Sequence, residues 1–194
     1  MHLDKSQIED LDRKYKLNII NSISGIKPAN LIGTVSKDGK ENVAIFSSVV
    51  HIGSNPPQLG IIFRPQEEIQ RDTYRNILET NYYTINHVVT SIIEKAHYTS
   101  AKLNPEEFEF ARMKLKSEII SGFKAPFVAE SVIKMGMKYE ESLPLSNGCI
   151  FVIGTVELLI IPDEATNELG QINLEISKSV GVSSLNTYYD LIMN

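Results

Sequence analysis

The sequence has little cysteine, no long apolar run and no block of basic residues. Its single cysteine excludes an internal disulfide. The most apolar stretch, Cys149 to Ile161, is interrupted by Thr155 and Glu157 and falls far short of the ~20 residues that a membrane span needs. With 19 Lys and Arg against 24 Asp and Glu, the net charge is −5, and no basic run indicates nucleic-acid binding. We therefore expect neither a membrane segment nor a nucleic-acid partner.

Targeting and linker segments are also missing. The N-terminal segment up to Leu17 is charged throughout and lacks the apolar centre of a signal peptide. No repeat or low-complexity tract divides the 194 residues, which are 42% hydrophobic and 22% charged, as in an ordinary globular domain. We therefore predict one domain over residues 1–194, with a helical extension at 1–26, a tail at 164–194 and a cytoplasmic location.

Helix signals are few and short. Asp4 followed by Gln7 is a capping box that predicts an N-terminal helix, whose apolar face continues to Tyr15. Residues 71–80 and a short segment at 92–96 have helical spacing. The segment 104–107, Asn-Pro-Glu-Glu, has the cap, proline and acidic residues that open a helix.

Strand signals dominate the remainder of the chain. An Asp38-Gly39 turn between two β-branched runs predicts a hairpin. Because the strands do not alternate with long helices, we predict a mainly β protein with short helices, an antiparallel barrel or sandwich rather than βαβ units. The predicted strands are residues 31–36, 42–50, 58–64, 82–88, 128–139 and 150–161.

The common catalytic motifs are missing as well. No G-x-S-x-G, G-x-G-x-x-G or phosphate-loop motif occurs. The four histidines lack metal-ligand spacing and one cysteine cannot complete a thiolate site, so we predict no metal site. Cys149 precedes the apolar residues Ile150–Val152 and is predicted to be a buried structural thiol.

Two cationic residues and a hydroxyl could bind an anion. Arg64 follows an apolar strand, while Arg71 and Thr73 stand at the start of a predicted helix. Free N–H groups at a helix start can hold a phosphate, and arginine adds charge-assisted hydrogen bonds. The alternative is that Asp72 caps the helix and the arginines are solvated.

Hydroxyl pairs occur at two further places. Ser47 and Ser48 end a mostly apolar segment, and could line a ligand cleft or simply begin a loop. Thr99 and Ser100, which follow His97, carry a weaker signal of the same kind.

Taken together, these segments resemble the flavin reductase-like family, whose members have an FMN-binding split β-barrel of antiparallel, Greek-key-like topology. The resemblance covers roughly residues 27–163 and is specific in combining Asn-Pro-Pro, Arg-Pro, Asp-Thr-x-x-Asn-Ile and Thr-Ser…Glu-Phe-Glu. The tail departs from the pattern, because residues 181–187 before Tyr188 lack the arginine and paired glycines that relatives often carry. The matching segments are KPANLIGTVSKDGKENVAIFSS, NPPQLGIIFRP, RDTYRNILETNYYTINHV, HYTSAKLNPEEFEFARM and IFVIGTVELLIIPD.

The resemblance implies FMN in a cleft at a homodimer interface, and a hydride passed from NADH or NADPH to flavin N5. The flavin performs the redox step, so no catalytic side chain is required. By the same resemblance, the strand around Ala44 and the two serines would contact the ring or ribityl chain, and Arg64, Arg71 and Thr73 would hold the phosphate. The implied cofactor-binding residues are Asn42, Ala44, Ser47, Ser48, Arg64, Arg71, Thr73, Asn76, His87, Thr99 and Ser100.

Two other functions stay open at this point. The protein could be an FMN-binding electron-transfer protein without pyridine-nucleotide turnover, passing electrons to a redox partner protein. It could also be a barrel-shaped interaction module without a cofactor.

Overall fold

The structure is a computed structural model that describes residues 1–66, 71–100 and 109–193. Its helices are α1 (Lys5–Glu9), α2 (Arg13–Ser22), α3 (Asp72–Thr80), α4 (Ile93–Tyr98) and α5 (Glu109–Arg112), with 3-10 turns at Thr90–Ile92 and Asp163–Ala165. Its strands are β1 (Lys27–Pro28), β2 (Asn30–Val35), β3 (Glu41–Phe46), β4 (Val49–Ser54), β5 (Pro57–Phe63), β6 (Tyr82–His87), β7 (Ser117–Glu118), β8 (Phe127–Val128), β9 (Lys134–Pro144), β10 (Ile150–Ile160), β11 (Val180–Ser183) and β12 (Thr187–Asp190).

Seven strands form one antiparallel sheet in the order β3-β2-β6-β9-β10-β5-β4. Its two edge strands, β3 and β4, are consecutive in the chain and are separated only by Ser47 and Ser48. Because so short a connection spans at most about 10 Å, the sheet must curl until its edges meet there. The result is a barrel that is split between β3 and β4, as the predicted fold class requires.

Apolar side chains fill both the inside and one outer side of the barrel. Ile32, Ile61 and Val152, from strands all around the sheet, pack together in the interior, where α3 contributes Tyr74 and Ile77 and closes one end. On the outer side of β2 and β3, a second core packs against α4, α5 and β11. Strand β2 is therefore buried on both faces, which explains its nearly continuous apolar sequence.

Two smaller sheets complete the fold. Strands β1, β11 and β12 form a three-stranded sheet that joins the two ends of the chain. Strands β7 and β8 pair with each other, and Lys134 of β9 fastens them by an ion pair with Glu118. No helix among the described residues is long and apolar enough to cross a membrane.

Local signals in the sequence are confirmed where they are strong. The Asp4 carboxylate accepts from the Gln7 backbone N–H at 2.9 Å, and the Gln7 side chain completes the capping box. The predicted hairpin forms between β2 and β3, with Gly39 at the positive φ of 79° that the turn requires. The predicted helix at 71–80 is α3, and the predicted opening of a helix at 104–107 lies outside the described residues.

Three predicted elements are wrong in their extent. The N-terminal helix does not run on to Tyr15, because Asp12 caps a separate helix by accepting from the backbone N–H groups of Lys14 and Tyr15. The predicted strand 42–50 is two strands, because the chain passes from one sheet edge to the other at residues 47–48. The strand predicted from 128 begins only at Lys134, since residues 129–133 form a turn.

The predicted burial of Cys149 is also wrong. It is only half-buried, because it lies in the turn between β9 and β10 rather than within the strand. Its carbonyl accepts from the Leu145 backbone N–H at 2.8 Å, and its own N–H donates to the Asn147 side chain.

Candidate functional site

Three of the predicted segments meet at an aromatic cluster in the barrel interior. The ring centroids of Phe46 and Phe63 are 4.8 Å apart, and those of Phe63 and Tyr74 are 5.4 Å apart. Ser47 directly follows Phe46, and Arg64 directly follows Phe63. The cluster therefore brings together the end of β3, the end of β5 and the start of α3.

The junction between the two sheet edges is held against β5. The Ser48 hydroxyl donates to the Ile62 carbonyl at 2.8 Å, and the Ile62 N–H donates to the Ser48 carbonyl at 3.4 Å. The Ser47 side chain is half-buried and makes no hydrogen bond within the described residues. Its hydroxyl is therefore available to a ligand.

Arg64, directly after β5, and Arg71, directly before α3, are both exposed. Helix α3 begins immediately after Arg71, and no side chain of the described residues caps it by a hydrogen bond. Asp72 is not the cap: it lies in the first turn, where its carboxylate pairs with Arg75. The two exposed guanidinium groups and the uncapped N-terminus of this nine-residue helix form a set of donors that suits a phosphate group.

Asn42, Thr73 and Asn76 turn inward and form a buried polar network. The Asn42 amide directs its nitrogen to the Glu109 carboxylate, at 3.1 and 3.2 Å, because the reverse orientation would set acceptors against one another. Its oxygen then accepts from Thr73 at 3.0 Å and from Thr34 at 3.3 Å. Asn76 Nδ2 donates to the Thr34 hydroxyl at 3.2 Å. The three predicted residues thus fasten α3 to β2 and β3.

The Glu109 carboxyl at the edge of this network is partly withdrawn from solvent. Burial raises its pKa, and the nearby Asp72 carboxylate acts in the same direction. The Asn42 amide stabilises the carboxylate by donating to it, so the pair also links α5 to β3.

The hydroxyl pair after His97 ties α4 to the barrel. The buried Thr99 Oγ1 accepts from the Ile45 backbone N–H at 2.9 Å and donates to the Ala96 carbonyl at 2.7 Å. It thereby satisfies a backbone group on the edge strand β3. Ser100 is exposed and donates to the His97 carbonyl at 2.8 Å.

Ala44 lies half-buried on β3, opposite Ile32 of β2.

His87 lies two strands away from Phe46. It ends β6 and stands opposite Asn30 of β2, which in turn stands opposite Phe46 of β3. Two strand spacings, about 10 Å, therefore separate His87 from Phe46. Its Nδ1 is 3.0 Å from the Ser179 hydroxyl, and burial lowers its pKa to about 4. It lines a cleft of about 210 Å³ between the N-terminal strand and β11.

Sequence reasoning did not find Asn30 or Glu109. Asn30, Ile32 and Thr34 are two residues apart along β2 and share its inner face. A polar residue on the same face as an apolar one, within an otherwise apolar strand, is the sequence pattern that could have indicated Asn30. Glu109 belongs to the Glu-Phe-Glu segment, but only the fold places its carboxylate against Asn42.

Comparison with known proteins agrees with this architecture. Residues 26–176 match the model of the flavin reductase like domain family. A flavin-reductase-type protein with a split barrel domain from Shewanella frigidimarina NCIMB 400 is 42% identical, with a TM-score of 0.94 over 100% of this chain and 96% of that one. Flavoredoxin of Desulfovibrio vulgaris (Miyazaki F) shares the fold at 20% identity and a TM-score of 0.75, over 87% and 88% of the two chains. Protein YwrF of Bacillus subtilis (strain 168) is 29% identical over 79% of this chain and 74% of its own length. The family match spans most of the chain, including the split in the barrel and both arginines, and this protein therefore belongs to the flavin reductase like domain family.

Proposed function

We propose that this protein is an FMN-dependent oxidoreductase that accepts a hydride from NADH or NADPH. The observation that supports it best is the convergence of the Ser47–Ser48 junction, Arg64 and Arg71 around the Phe46–Phe63–Tyr74 cluster, within a chain of the flavin reductase family. When bound, FMN supplies a ring that takes up the hydride, so the protein needs no nucleophile of its own.

The side chains and backbone of the protein would then bind FMN and orient its ring. Arg64, Arg71 and the free N–H groups at the start of α3 neutralise the phosphate. The Ser47 hydroxyl and the backbone around Ala44 hydrogen-bond polar atoms of the ring or ribityl chain. Thr73 acts indirectly, because its hydroxyl donates to Asn42 and keeps the start of α3 against β3.

We also propose that the protein is a homodimer. The outer face of β4, β5, β9 and β10 is apolar, since Ile62 stands opposite Phe151, which stands opposite Leu143. Val50 and Leu143 are each 43% exposed and Ile62 is 39% exposed, whereas helices α4 and α5 cover the outer side of β2 and β3. A second copy would remove this face from water, and Ile62 connects it directly to the Ser48 junction.

A second candidate function has its own support. Residues 181–187 lack the arginine and paired glycines that the family resemblance leads one to expect, and Tyr188 is engaged with His97 Nδ1 at 3.1 Å. This departure favours an FMN-binding electron-transfer protein that does not turn over pyridine nucleotide and reduces a partner protein instead.

Binding of FMN and riboflavin to charge-deleted variants tests the phosphate site. Arg64→Ala and Arg71→Ala remove charge-assisted hydrogen bonds of about 1.5–3 kcal/mol, so FMN should bind about 10- to 150-fold more weakly while riboflavin binding is unchanged. Arg75→Ala is the matched control, because Arg75 is an exposed arginine of the same helix that already pairs with Asp72. Flavin fluorescence or calorimetry measures each dissociation constant.

The outcomes separate the alternatives. Equal weakening of both ligands by Arg64→Ala and Arg71→Ala would contradict the phosphate assignment. Thr73→Ala should weaken both ligands to the same extent, since its role is to position α3. Anaerobic mixing of the FMN-loaded protein with NADH or NADPH should bleach the flavin absorbance; a bound flavin that neither nucleotide reduces would instead favour the electron-transfer protein.

A further inference from the structure

One carboxylate near the proposed phosphate site has no cation to balance it. Glu109 begins α5, and its two oxygens accept from the Asn42 amide at 3.2 and 3.1 Å. No lysine or arginine among the described residues forms an ion pair with it. Asp72 differs in this respect, because its carboxylate pairs with Arg75. A neutral amide satisfies the hydrogen bonds of Glu109 but does not compensate its negative charge.

The Asn42 side chain connects this carboxylate to the start of α3. Its amide oxygen accepts from the hydroxyl of Thr73, the second residue of the helix, at 3.0 Å. With standard amide bond lengths, the Glu109 carboxylate therefore lies within about 9 Å of that hydroxyl. The Asp72 carboxylate, on the first residue of the helix, contributes to the raised pKa of Glu109. The charge of Glu109 thus interacts with the end of α3 at which we propose that the phosphate binds.

Charged groups from several elements surround Glu109. Burial is the main cause of its raised pKa, so the carboxyl group is closer to protonation than that of an ordinary glutamate. A phosphate at the start of α3 adds up to two negative charges on the same side as Asp72 and raises this pKa further. The charged side chains on the elements around it are Asp72 and Arg75 of α3, Arg112 of α5, and Lys40 and Glu41 at the β2-β3 hairpin.

We propose that Glu109 determines how strongly this protein prefers a phosphorylated flavin to an unphosphorylated one. The ionised carboxylate repels the phosphate and weakens FMN binding. Protonation removes this repulsion, while Asn42 still donates to the remaining carbonyl oxygen and the contacts that hold α3 are kept. FMN binding and protonation of Glu109 therefore favour each other to the same degree. The inference rests on the proposed phosphate site at Arg64 and Arg71.

The consequence is a phosphate site in which attraction is partly cancelled. Two arginines and a helix N-terminus attract the phosphate, and one uncompensated carboxylate opposes them. FMN then exchanges more readily than the attractive groups alone would allow. Glu109 is a specificity-determining residue in this scheme, and it takes no part in hydride transfer.

Glu109→Gln tests the charge, because it keeps an oxygen that accepts from Asn42. At pH 8 the phosphate carries nearly two negative charges, and FMN should bind at least ~5-fold more tightly to this variant than to the parent. Riboflavin binding should change by less than about twofold, since it has no phosphate. Flavin fluorescence measures the dissociation constants of both ligands.

Glu157→Gln is the matched control for the change in net charge. Glu157 is exposed on β10, about 20 Å along the strand from the residue that pairs with Phe63, and thus far from Arg64. FMN affinity in this variant should stay within about twofold of the parent. An equal gain in FMN affinity in Glu157→Gln and Glu109→Gln would show an effect of net charge alone and would overturn the proposal.

Titration of the Glu109 carboxyl group in the parent protein measures the coupling directly. Its ¹³C signal is assigned through the bonded atoms of residue 109 and followed with no flavin, with riboflavin and with FMN. We expect the midpoint to move to higher pH with FMN and to stay in place with riboflavin. A residue that only holds the fold together would show the same midpoint with both ligands, and that result would overturn the proposal even if Glu109→Gln does not fold.

The outcomes also separate this inference from the proposed function. If the parent binds both flavins but Glu109→Gln leaves FMN affinity unchanged, or alters FMN and riboflavin equally, Glu109 has no role in phosphate discrimination and the flavin site stands. If the parent binds neither flavin, the proposed function fails and this inference fails with it.

Discussion

Burial controls the charge of the histidine that ends strand β6. The pKa of His87 falls from its ordinary value of 6.5 to about 4, because the ring is taken out of water at the end of β6. Between these two values the unfolded chain binds more protons than the folded one. The stability that neutral His87 provides is therefore fully present above pH 6.5 and is lost as the pH falls towards 4.

We expect His87→Gln to lose less stability on acidification than the parent protein. The difference between pH 7 and pH 4 should be at most about 3–4 kcal/mol, since the pKa falls from 6.5 to about 4 and each pKa unit corresponds to about 1.36 kcal/mol. Urea unfolding at both pH values measures it. His51→Gln, which alters an exposed histidine, is the matched control. Equal losses in the parent and His87→Gln would mean that the ring is not buried as described.

At the scale of the element, strand β2 is closely packed at Gly33. The segment before β8 lies directly on it, and the Pro126 carbonyl accepts from the Thr84 hydroxyl at 2.6 Å. A Cβ at Gly33 would overlap both of these groups. Glycine is needed here for close approach of two backbones rather than for its φ angle.

Gly33→Ala should lower the free energy of unfolding by about 1–3 kcal/mol, because the backbone of residue 126 cannot move aside as a flexible side chain would. Gly53→Ala on β4 is the matched control, since its Cβ would meet only the Pro56 carbonyl oxygen at an ordinary 3.6 Å. That substitution should change stability by no more than about 0.5 kcal/mol. Chemical denaturation of both variants measures the two values, and similar losses would refute the close-packing explanation.

For the whole molecule, the uncovered apolar face of β4, β5, β9 and β10 should decide the oligomeric state. Ile62→Lys places a charge at its centre, and should weaken self-association by at least about 2 kcal/mol, or ~30-fold, if the proposed dimer forms there. Light scattering across a concentration series measures this. Ile119→Lys alters an exposed isoleucine near β7, outside the face, and should leave the dimer intact. A parent protein that stays monomeric with bound FMN would exclude the dimer.

Several features could be predicted from the sequence because they depend on neighbouring residues. The capping box of Asp4 and Gln7, the Asp38-Gly39 hairpin and helix α3 each arise from backbone hydrogen bonds and φ preferences within a few positions. The mainly β class follows from the same local texture, and the family resemblance rests on the order of such segments. The two arginines could be named as candidate phosphate ligands, because charge and position in the chain are visible without a structure.

Other features needed the tertiary structure, because they depend on which distant strands pair. Strand β3 ends before Ser47–Ser48, and β4 begins after them, only because closing the barrel brings both sheet edges to that point. Thr73 could reach a ligand or the core by its position in α3 alone, and packing against Asn42 selects the core. The sequence allowed His87 to lie near the arginines. Strand register instead places it beside Asn30, two strands from Phe46. Local propensity directs an element, whereas long-range pairing and burial decide which side chains meet and which remain free to bind a ligand.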